Sequence, residues 1–126
     1  MKSLIISLAL AVLVVVMSTV YTGTIDKVSN QMKGINEEIA VFIENGDYDG
    51  AFQKTNDLSL YIEEKSTLME AIGNHEELKE IELGVVELRE FIRNKDKAEA
   101  LSRCALLDFL FMYMPENYHL KAENIL

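Results

Sequence analysis

The sequence holds one cysteine and one proline in 126 residues, and 12 basic side chains against 21 acidic ones. A lone thiol, Cys104, cannot close an internal disulfide, so the fold must stand on packing alone. Cys104 sits in an apolar stretch and reads as a small buried hydrophobe, and helical spacing places neither His75 nor His119 beside it as a base. No strand-like alternation occurs, and no Gly/Ser/Pro-rich linker or low-complexity run divides the chain. His-Glu-x-x-His, glycine-rich phosphate loops, Gly-x-Ser-x-Gly and paired-cysteine metal spacings are all missing. The adjacent acidic pairs Glu37-Glu38, Glu63-Glu64 and Glu76-Glu77 point about 100° apart on a helix, so they read as solvated faces, not acid/base dyads. These absences predict no enzyme, no cofactor and no metal site.

The shortage of positive charge excludes further classes. All 21 acidic residues but only 11 of the 12 basic ones follow Thr24, a formal charge of 11 − 21 = −10 for that part. Such a surface repels phosphate backbones and anionic lipid headgroups alike. Nucleic acid is therefore not an expected partner.

What the sequence does have is a long apolar run. Leu4 to Tyr21 is uncharged, and Lys2 is the only charged side chain before Asp26. As a helix, its 18 residues would span roughly 27 Å against the roughly 30 Å of bilayer hydrocarbon. This predicts a single N-terminal transmembrane helix, with residues 1–24 as a membrane anchor and residues 25–126 as a helical domain. The rival is a cleaved signal peptide, but Met17 to Thr24 offers no Ala-x-Ala pattern and no nearby cysteine for a lipid. Lys2 and the amino terminus favour a cytoplasmic N-terminus and an extracytoplasmic domain, although Lys27 and Lys33 stand on the other side. The expected location is thus the cell membrane, single-pass, with the lipid bilayer contacted through residues 4–21.

After a break expected at Thr22-Gly23-Thr24, apolar residues recur in steps of three and four at Ile25, Val28, Met32, Ile35, Ile39 and Phe42, one helical stripe. Asn45-Gly46 ends that helix and Asp47 caps the next, about Tyr48 to Ile72, with a stripe of Ala51, Phe52, Thr55, Leu58, Ile62, Met69 and Ile72. Gly73-Asn74 turns the chain, and Asn74 with Glu77 forms a capping box for a helix whose stripe is Leu78, Ile81, Val85, Leu88 and Ile92. Asp96 with Glu99 repeats the box. The fourth helix, about Lys97 to Met114, is apolar all round in its second half, from Leu106 to Met114, so that part is either core or a partner surface. Pro115 is expected to break it, leaving a short closing helix from Glu116 to Leu126.

The two outer turns repeat. Phe42-Ile43-x-Asn45-x-Asp47-x-x-x-Ala51 recurs at an offset of 49 as Phe91-Ile92-x-Asn94-x-Asp96-x-x-x-Ala100, and Leu58 matches Leu107. The fold class is therefore all-α, with two antiparallel helical hairpins built alike. The Gly46-Asp47-Tyr48-x-x-Ala51 turn resembles that of tetratricopeptide repeats in its local hairpin geometry, which favours a protein-interaction role. The same turn carries a degenerate calcium loop: Asn45, Asp47, Asp49, Gly50 and Phe52 fit an EF-hand, but position twelve is Asn56, which cannot supply the bidentate carboxylate. The second copy keeps only the capping residues.

The whole chain also resembles a family of short bacterial proteins, found mainly in spore-forming Gram-positive species and grouped as a domain of unknown function. The resemblance rests on Met1-Lys2-Ser3-Leu4 leading into the apolar run, Asn45-Gly46-Asp47-Tyr48, Asn74-His75-Glu76-Glu77, Phe91-Ile92-Arg93-Asn94-Lys95-Asp96, Met114-Pro115-Glu116 and Glu123-Asn124-Ile125-Leu126. It implies a membrane-associated protein acting beside another membrane protein, and brings no catalytic residue. The function expected is a non-enzymatic interaction or accessory module for a membrane partner or for another copy of itself, its apolar fourth helix or repeat groove making the contact. The alternative is an ion or small-ligand sensor centred on Asp47 and Asp49, in the loop from Asn45 to Asn56.

Overall fold

A computed structural model describes residues 1–72 and 75–125, with side chains described except at 18, 21, 22, 72 and 115–125. It contains four helices, α1 (Lys2–Glu44), α2 (Tyr48–Ile72), α3 (His75–Arg93) and α4 (Lys97–Ile125). α1 packs on α2 and α4, and α3 packs on the same two, so the helices form a closed ring in chain order. Short connections make sequential neighbours antiparallel. Lys97 Nζ donates to the Glu44 carbonyl at 3.2 Å, which puts both outer turns at one end of the bundle.

Each helix contributes one stripe at steps of three and four, with a single step of seven at the end of α2. From α1 come Ile25, Ser29, Met32, Asn36, Ile39 and Ile43, and from α2 Ala51, Thr55, Leu58, Ile62 and Met69. α3 gives Leu78, Ile81, Val85, Leu88 and Ile92, and α4 gives Ala100, Cys104, Leu107, Phe111 and Met114. This 3.5-residue average is the periodicity that lets near-antiparallel helices keep one face inward. Gly84 is also buried on α3, and a β-carbon there would come within 2.8 Å of Leu107 Cδ2, so the missing side chain sets how closely α3 meets α4.

The stripe of α1 includes two polar residues, and both bond across to α4. Asn36 Nδ2 donates to the Cys104 carbonyl at 2.8 Å, and the Ser29 hydroxyl donates to the Phe111 carbonyl. Seven residues separate the two bonds on each helix, one heptad apart. They fix the register of α1 against α4 where apolar side chains alone would permit sliding.

Both outer turns are built alike. Asp47 N–H donates to the Phe42 carbonyl and Gly46 N–H to the Ile43 carbonyl; Asp96 N–H and Lys95 N–H make the corresponding bonds to Phe91 and Ile92. This is the double closure of a Schellman motif, with the left-handed residue at Gly46 (φ 75°) and at Lys95 (φ 56°). Asp47 Oδ1 accepts from Gly50 N–H at 2.9 Å and Asp96 Oδ1 from Glu99 N–H at 3.2 Å, so both aspartates are N-caps.

Three expectations need correction. The single N-terminal transmembrane helix is not found, because among the described residues no helix is long and apolar enough to cross a membrane. The apolar run that begins at Leu4 is the first part of α1. It is not a separate element: α1 continues without a break through Thr22-Gly23-Thr24 into its packed half. Pro115, in turn, does not end the fourth helix, and no separate closing helix follows, since α4 runs to Ile125. The interior proline has no N–H to give the Phe111 carbonyl, and Ser29 supplies a donor from α1 instead. The Gly73-Asn74 turn and the Asn74 capping box lie outside the described residues.

Candidate functional site

The calcium reading centres on Asp47 and Asp49, in the loop from Asn45 to Asn56. Of these, Asp49 and Asn56 belong to α2, which begins at Tyr48, so the twelve-residue segment is a turn followed by helix. A calcium loop must wrap its donors around the ion, and a rigid helix spreads them along its axis instead. Asp47 already spends Oδ1 on the Gly50 amide. Among the described residues no three His, Cys, Asp or Glu side chains are grouped to hold a metal.

Isolated candidates dissolve in the same way. Cys104 is buried, and that burial pushes its thiol up to about 12, far from the thiolate form a nucleophile needs. His75 is exposed at the start of α3, with Glu70 Oε1 4.0 Å from Nδ1. The side chain of His119 lies outside those described.

What stands out is apolar surface left in solvent. Every described side chain from Leu4 to Met17 is exposed, and so is Val20; among the described residues of α1 the first that is buried is Ile25. Leu4, Leu8 and Val12 are 76%, 65% and 56% exposed, and the large apolar residues around the helix between them are exposed as well. A helix apolar on all sides ordinarily lies inside something. This arm extends from the end of the bundle opposite the two outer turns.

The fourth helix resolves into two faces. Leu107, Phe111 and Met114 are fully buried, whereas Leu106, Phe109, Met112 and Tyr113 are exposed, with the Phe109 and Tyr113 rings 4.4 Å apart. Within the run from Leu106 to Met114, Phe111 is therefore core and Met112 is surface. The all-round apolar character of this segment hid that division.

Two grooves follow α2. One, of about 290 Å³, is lined by α2 and α3 through Ile62, Ser66, Glu82 and Val85 among others. The other, of about 760 Å³, lies between α1 and α2 and is lined by Ile35, Asp57, Leu60, Tyr61, Glu63 and Glu64. Partial burial, and then the nearby Glu64 carboxylate, push the Tyr61 phenol upward, so it stays a neutral donor. Lys65 Nζ lies 5.8 Å from the centroid of the same ring, at cation–π distance. Sequence reasoning missed this groove, although Asp57, Leu60, Tyr61 and Glu64 form an i, i+3, i+4, i+7 set that marks a second face of α2.

No curated protein and no solved structure matches the chain. The model of one family matches residues 19–125, which takes in the second part of α1 and nearly all of the remaining bundle. The chain belongs to the DUF4363 family, a domain of unknown function.

Proposed function

We propose that this protein is a non-enzymatic interaction module that works at the cell membrane beside a membrane protein, with the apolar arm of α1 as its attachment. One observation carries this reading: the side chains from Leu4 to Met17 are exposed on every face of the helix, while from Ile25 onward the same helix is packed. A run of this kind in water is opposed by roughly 25 cal/mol for every Å² of apolar surface, which an apolar partner would recover. The closed bundle beyond it supplies a rigid acidic body and no assembled chemistry among its described residues. The ion-sensor alternative has less support, because Asp49 and Asn56 stand on α2.

The test is site-specific photo-cross-linking in native membranes, with the reactive group at Leu8 or Val12 and, as a control, at the exposed Glu80. Adducts to one membrane protein from both arm positions and not from Glu80 would support the reading. Adducts only to lipid or to other copies would remove the membrane-protein partner, and no adducts at all would remove the docking role of the arm.

A further inference from the structure

The open groove between α1 and α2 sets apolar side chains beside acidic ones. Asp57, Leu60, Tyr61 and Glu64 stand at i, i+3, i+4 and i+7, so two apolar side chains are bracketed by a carboxylate one turn to either side. Leu60 is 64% exposed, and across the groove Ile35 of α1 is only half-buried although it lies on an apolar stripe. The lining holds three carboxylates and no cation. Nearby, Lys54 is held at 2.6 Å by Glu38, and Lys65 lies over the Tyr61 ring. That ring thus already accepts a cation on its face.

We infer that this groove receives a cationic amphipathic helix from a partner protein. Apolar anchors at one-turn spacing would lie on Ile35, Leu60 and Tyr61, and lysine or arginine side chains flanking them would meet Asp57, Glu63 and Glu64. The charge of −10 after Thr24 draws such a segment in at a distance, and the bracketed apolar pair gives it a register. The inference deepens the interaction reading by naming the partner's chemistry. Its test uses no membrane, so the two can fail separately.

The full chain, dispersed in mild nonionic detergent, is titrated into a labelled peptide of about 18 residues, long enough to form a helix, with leucines at i, i+3, i+4 and i+7 and lysine or arginine elsewhere. Fluorescence anisotropy should show saturable binding that weakens with salt, and about tenfold with Asp57→Asn/Glu64→Gln or with Leu60→Ser. Far-ultraviolet circular dichroism confirms that these surface variants remain folded. The control Asp49→Asn/Glu80→Gln removes the same charge from exposed positions outside the groove and should leave binding unchanged. Equal weakening by the control pair, equal binding of a peptide with glutamate in place of its cations, or no binding would each overturn the inference.

Discussion

Replacing Ser29 with alanine tests how α4 passes through a proline. Pro115 cannot donate to the carbonyl four residues before it, that of Phe111. The Ser29 hydroxyl donates to that carbonyl from α1, and Ser29 is 2% exposed, so water has little access to take its place. Ser29→Ala removes the donor and leaves the carbonyl without either partner. A buried polar group stripped of its bond costs about 1–3 kcal/mol, and about 2 kcal/mol is expected here. Pro115→Ala returns the missing amide, and since an interior proline is about 3 kcal/mol worse than alanine it should stabilise the bundle by itself. In that background Ser29→Ala should cost under about 1 kcal/mol, giving a coupling of about 1–2 kcal/mol between positions on different helices. Urea unfolding of all four proteins, followed by helical circular dichroism in constant detergent, measures the cycle. Equal losses from Ser29→Ala in both backgrounds would refute the account, because the serine would then act independently of the proline.

The two outer turns give predictions of opposite sign: Lys95→Gly should stabilise by about 1 kcal/mol and Gly46→Ala destabilise by a similar amount, because both positions are left-handed. The same unfolding assay checks both, and a loss from Lys95→Gly would show that its side chain has a role the backbone angle does not reveal. Cys104 should resist a thiol-specific chromogenic reagent at mildly alkaline pH until the protein is unfolded. Its folded pKa is raised by burial, so above the unfolded thiol's ordinary value the unfolded state holds fewer protons than the native one. Stability should therefore fall as pH climbs from that value toward about 12, and Cys104→Ala should lessen the fall.

Much of the bundle could be read from local chemistry. The Asn45/Asn94 and Asp47/Asp96 turns were legible because ending and capping a helix use residues within one turn of each other. The stripe of α3 was legible for a similar reason, since every member is apolar and buried. On α1 the apolar spacing finds the buried Ile25, Val28, Met32 and Ile39, but it also takes in the partly buried Ile35 and Phe42 and passes over Ser29, Asn36 and Ile43, which complete the buried line. Polar residues are invisible to an apolar count, yet their step of seven is a signal that a heptad reading would use. The continuation of α4 past Pro115 was not legible, because the donor that replaces the lost amide lies 82 residues away in sequence.

The same division between local and distant causes separates what the fold requires from what it leaves over. Among the described residues, the four stripes meet in a core where Leu58, Leu88, Leu107 and Phe111 are fully buried. The exposed apolar residues of the arm, and Leu60 in the α1–α2 groove, lie outside that core, whereas Ile35 and Tyr61 pack partly against it. For Leu60 this is a quantitative statement: at 64% exposed it gains only a minor share of the transfer free energy that burial gives Leu58. Leu60→Ser should cost the bundle under about 0.5 kcal/mol, the ordinary range for a surface substitution, whereas Leu58→Ala should cost about 2–5 kcal/mol. If Leu60→Ser proved as damaging as Leu58→Ala, the groove would be part of the core, and its apolar lining would need no partner to explain it.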